Sequence, residues 1–140
     1  MNQKLIKHIL VASFLSLSCF VGQMAYGQIP DTQHSMGVAY ISGGVGEGEA
    51  DSILAEAKEW PLMLELSQLD GGRGVWIFGA RISIFNGKQL VFDAVAEGPY
   101  ILINLDPGQY LIQAAYQGVE QKRSVSILAG QPQKLSLFWK

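Results

Sequence analysis

The sequence predicts an all-β protein: one antiparallel sandwich of seven strands with a single short helix towards its N-terminal side. Three observations carry this reading. Apolar residues alternate at period 2 through most of the chain from residue 62 onward. Turn signals built on Gly, Pro, Asn and Asp recur at spacings of roughly 10 residues. Glycine occupies 16 of 140 positions, above the usual share of about 7%, as many tight turns between short strands require. With 49% of its residues apolar, the chain can build one core without metal or disulfide staples.

Residues 1–27 have the layout of a secretory signal peptide. Lys4 and Lys7 form a positive start without an acid, residues 9–21 are an apolar run, and Ala25-Tyr26-Gly27 is a small-x-small site that places cleavage before Gln28. The apolar run is shorter than the roughly 20 residues that span a bilayer, so no membrane insertion is expected after cleavage. Lipoprotein processing at Cys19 is the competing reading. Ser16 stands where such a signal wants a large aliphatic residue, which favours soluble export to the periplasm or beyond.

Removing Lys4 and Lys7 takes the formal charge from −2 to −4. No basic run exceeds Lys122-Arg123, so neither nucleic acid nor an anionic membrane surface is an expected partner. Cys19 is the only cysteine, and the processed chain would fold without disulfides.

Residues 28–36, with Pro30, Asp31, Thr32 and Ser35, read as a flexible leader. Residues 37–61 form an N-terminal extension. Val38, Tyr40 and Ile41 suggest a short strand, followed by Gly43-Gly44-Val45-Gly46. A glycine-rich loop entering a helix can cradle an anion. Here Glu47, Glu49 and Asp51 already complement the positive helix end and would repel phosphate, so a tight structural loop is expected. Ala50, Ile53, Leu54 and Ala57 give residues 49–59 the spacing of an amphipathic helix, which Pro61 ends. That helix is expected to close an edge or end of the sandwich.

Residues 62–140 are the sandwich itself, with strands expected at 62–69, 75–85, 89–95, 100–105, 109–117, 119–128 and 133–139. Asn86-Gly87 suits a type I′ hairpin turn, and Gln117-Gly118 reverses the chain again. Asp106-Pro107-Gly108 feeds the strand that organises the rest, with Tyr110, Ile112, Ala114 and Tyr116 on one face. Pro107 fixes one φ, and Gly108 is expected to supply the positive φ after it.

From Leu62 onward the chain resembles the carboxypeptidase regulatory-like domains, a transthyretin-like (prealbumin-like) β-sandwich group. The matching residues are Leu105, Pro107, Gly108 and Tyr110 of a Leu-x-Pro-Gly-x-Tyr core, the Gly118 turn, the Gly98-Pro99-Tyr100 corner and the Asn86-Gly87 hairpin. Residues 40–60 look like the N-terminal extension of small exported proteobacterial proteins carrying this domain. The resemblance implies a transthyretin-like fold and a non-catalytic module that stabilises or presents other elements. It supplies no catalytic residues.

Other chemistry finds little support. Hydroxyisourate hydrolases share the transthyretin-like fold and use histidines and an arginine, whereas this chain has only His8 and His34 and ends in Phe138-Trp139-Lys140. No cofactor or metal is expected: a processed chain with one His and no Cys would need an oxygen-only site, and Asp70, Asp93, Glu97 and Asp106 lack the spacing of a calcium loop. They read as solvated residues at strand ends and turns, and His34 with Met36 as a tail. An isopeptide bond between Lys58 and Asn104 would need a buried lysine, and Lys58 falls in the helix.

The candidate surface is aromatic. Trp76 and Phe78 share one side of a strand whose other side carries Val75 and Ile77, so this strand begins apolar on both faces. Cover by helix 49–59 is the first expectation, and contact with a partner or with sugar rings the second. The expected function is that of an exported, non-catalytic accessory or binding module of the bacterial envelope, acting through protein contacts. Carbohydrate binding by exposed aromatics is the alternative, and an uncharacterised hydrolase a more distant one.

Overall fold

The structure is a computed structural model and describes residues 28–140. The signal-peptide reading, Cys19 and His8 fall outside the described residues. In chain order the elements are β1 (Gln33–Ser35), β2 (Val38–Gly43), α1 (Glu49–Glu56) with a 3-10 turn at Ala57–Glu59, β3 (Leu62–Asp70), β4 (Arg73–Trp76), β5 (Arg81–Asn86), β6 (Gln89–Val95), β7 (Tyr100–Ile103), β8 (Gly108–Tyr116), β9 (Val119–Ile127) and β10 (Gln133–Trp139). The all-β expectation holds, with ten strands among the described residues rather than seven.

Two sheets face each other. The first runs β1-β2-β7-β3-β10, with β4 also paired to β3; the second runs β6-β5-β8-β9. Leu62, Leu64, Leu66, Ile101 and Leu137 of the first meet Ile82, Ile84, Phe92, Ile112 and Ala114 of the second in one core. Burying one such side chain contributes about 1.5–3 kcal/mol, so this layer is the main source of stability. Within it β8 follows its expected alternation, with Tyr110, Ile112 and Ala114 buried and Tyr116 packed at the margin.

Several expectations are corrected. Residues 33–35, assigned to a flexible leader, form β1, because Ser35 Oγ donates to Asp93 O (2.6 Å) and accepts from Asp93 N–H (3.2 Å). The expected strand 75–85 is two strands in different sheets. It breaks at residues 77–80, where buried Ile77 and Ala80 carry the chain across the core. The sandwich is not wholly antiparallel, since β10 pairs in parallel with β3. After the 128–131 turn, Gln133 N–H bonds Pro61 O (2.9 Å) beside the start of β3, so both strands leave the same end.

Turn details shift too. The β5–β6 loop is Gly87-Lys88, flanked by the pair Asn86 and Gln89, one residue later than expected. Gly87 alone there has a positive φ, 61°, the pattern of a type II′ turn rather than I′. Gly108 is already the first residue of β8. Gln117 and Gly118, at φ 48° and 78°, make the expected tight turn between β8 and β9.

The helix lies on the outer face of the first sheet rather than closing an end. Ile53 is buried there against Ile41, Met63, Tyr100 and Leu102, with Ala50 and Ala57 at its margin and Leu54 exposed. Coverage on both faces explains why β3 begins with the unbroken buried run Leu62, Met63 and Leu64. Among the described residues, no helix is long and apolar enough to cross a membrane.

Candidate functional site

The site forms where the chain leaves the first sheet for the second. Ile77 N–H bonds Leu66 O (3.3 Å), Gly79 N–H bonds Ala96 O (2.7 Å) and Ala96 N–H bonds Ala80 O (2.8 Å). These bonds pin Ile77 and Ala80 inward. By alternation Trp76 and Phe78 are turned out of the core, and they are 59% and 68% exposed. The expected cover by the helix is therefore corrected: α1 ends its reach at Tyr100, and the Trp76 indole meets the Tyr100 ring edge-on at 5.7 Å instead.

The opposite wall comes from the glycine-rich loop. Glu49 Oε1 accepts the Gly44 N–H at 2.7 Å, so a carboxylate of the chain itself fills the place an external anion would take. Gly44 packs on Tyr100 and Pro99 with φ at 105°, and a Cβ on Gly98 would run into the Gly43 carbonyl. Only glycine fits at these positions. The loop so held presents Val45, which is 68% exposed. Val45 and Pro99 face Trp76 and Phe78 across a notch of about 250 Å³ floored by Ile77. Of the side chains lining it, only Trp76 has a hydrogen-bonding group.

Other concavities among the described residues include two away from this notch. One of about 340 Å³ lies between the 58–61 segment, Pro107 and the 127–132 turn. The other, about 690 Å³ and polar, lies between the β1–β2 turn and residues 104–110, with His34, Met36, Asn86 and Asn104 on its walls.

The carboxylates are accounted for individually. Asp93 is not a turn residue: it stands within β6, where Arg81 Nε and Nη2 donate to it at 3.0 and 2.6 Å and Ser83 Oγ at 3.1 Å. The Arg81 hydrogen bonds hold its pKa below the usual carboxylate range, against the opposing effect of burial. Glu97 accepts from Gln33, Asp106 lends its carbonyl to the Tyr110 hydroxyl (2.8 Å), and Asp70 is exposed beside the β3–β4 turn. Burial raises the Tyr40, Tyr100 and Tyr110 phenols, with Glu97, Glu65 and Asp106 respectively adding to it. Lys58 and Asn104 are both exposed.

Sequence reasoning singled out Trp76 and Phe78 from their alternation. It did not find Val45 or Pro99, whose part depends on the Gly44–Glu49 and Gly98–Gly43 contacts between distant segments. No family model matches the chain, and no curated protein matches it.

Proposed function

We propose that this chain is an exported, non-catalytic binding module of the bacterial envelope, which acts by docking the notch formed by Val45, Trp76, Phe78 and Pro99 onto another polypeptide. The single observation behind this reading is the exposure of both aromatics on a backbone fixed by buried neighbours. Exposed aromatic anchors in rigid surroundings are what protein interfaces enrich. The secretory layout of residues 1–27 supports export, and the tyrosine bonded to Asp106 supports kinship with transthyretin-like sandwiches. A sugar ring stacked on Trp76 would need converging polar groups, and the notch lining has one.

Site-specific photo-crosslinking in the native host tests the proposal. A photoreactive residue at Val45 is expected to give a discrete adduct with a polypeptide, lost on Phe78→Ser. The same residue placed at exposed Val119 on the far sheet is expected to give none. Equal adducts from both positions, or none from Val45, would sink it.

A further inference from the structure

The notch adjoins a sheet edge that the fold leaves open. The other edges are blunted. Ser35 occupies both backbone groups of Asp93 on β6 and ties β1 to it. Between β9 and β10, Gln121 Nε2 donates to Phe138 O (2.5 Å) and Trp139 Nε1 to Val119 O (3.0 Å). Among the described residues β4 has one partner, β3, and all four of its residues are exposed. Its polarity follows from the register: Ile77 donates to Leu66, so Val75 and Arg73 also bond towards β3, while the N–H and C=O of Gly74 and Trp76 point to the free side.

Gly74 is the second clue. Its φ is not positive, and a Cβ there would meet nothing within 4 Å, so neither turn geometry nor crowding within the chain asks for glycine. Glycine inside a strand weakens it and often marks close approach by another backbone or ligand. Gly74 and Trp76 lie on the same face of β4, on either side of Val75. Antiparallel pairing of two β4 edges about a two-fold axis at Val75 would set Gly74 opposite the partner's Trp76, each bare glycine receiving an indole.

Resting on the docking reading above, we infer that the polypeptide taken by this site is a second copy of the chain, added edge to edge through β4 with Trp76 seated over the partner's Gly74. The interface is self-complementary, as a two-fold contact must be. It is also small, so the dimer is a weak one, with a dissociation constant on the order of 100 µM.

Sedimentation equilibrium of the purified protein over a wide concentration range tests the inference. The expected result is a reversible monomer–dimer equilibrium. Gly74→Pro removes the outward N–H while sparing the bonds to β3, and is expected to weaken association by about tenfold or more, because each of the two copies loses one main-chain hydrogen bond. Trp76→Ser is expected to weaken it likewise. Should Gly74→Pro fail to fold, amide exchange on the unmodified protein replaces it: Gly74 and Trp76 amides should gain protection as concentration rises. A monomer up to about 1 mM, a dimer indifferent to Gly74→Pro, or amides indifferent to concentration would each overturn the inference. A monomer that still gives Phe78-dependent Val45 adducts with a different polypeptide overturns self-pairing alone; a monomer with no adducts overturns the docking reading as well.

Discussion

Close backbone approaches decide most at the scale of single residues. Gly98 sits so near the Gly43 carbonyl that any side chain must push β2 off β7. Gly98→Ala is expected to destabilise the fold by about 3 kcal/mol in urea denaturation, with the strain of overpacking as its cause. Asp93 gives a pH signature. Its folded pKa lies below that of the unfolded chain, so its contribution is present above the unfolded value and is lost as pH falls through the folded one. Denaturation followed from about pH 6 down to about pH 2 should show an acid decline that Asp93→Asn flattens. The sequence marked Gly98 as a corner and Asp93 as an acid. It could not show that the partners are Gly43 and Arg81, because those depend on how separate strands come together.

Among the elements, α1 is the most informative. Its apolar spacing was legible from Ala50, Ile53 and Ala57, but its seat on the outer face of β2, β7 and β3 was not, since an amphipathic pattern names a buried face without naming its neighbour. Ile53→Ala is expected to cost about 3 kcal/mol, because the small cluster under the helix has no second layer to fill the cavity. Denaturation monitored by Trp60, packed at the margin of that cluster, checks this. The break between β4 and β5 was hidden for a related reason. Residues 75–85 keep strand composition throughout, and only the contacts of Ile77 and Ala80 in the core reveal that the chain changes sheets.

For the whole molecule, the two-sheet architecture was readable because period 2 and the turn residues are local signals, whereas the parallel pairing of β10 with β3 is a long-range outcome. Three buried tyrosines, Tyr40, Tyr100 and Tyr110, make the fold sensitive to alkali. Their folded pKa values lie above the unfolded ones, so stability is intact below about pH 10 and falls as pH rises through the folded values. Absorbance titration should show these phenolates appearing late and together with unfolding.

The central claim, that Trp76 and Phe78 serve contact rather than folding, is tested most directly by the yield of the Val45 photo-adduct in Phe78→Ser. That variant's urea midpoint must first be compared with that of the unsubstituted protein. The account predicts a stability change within about 0.5 kcal/mol, as for an exposed position, together with loss of the adduct. An unfolded variant, or one that keeps its full adduct, would contradict it.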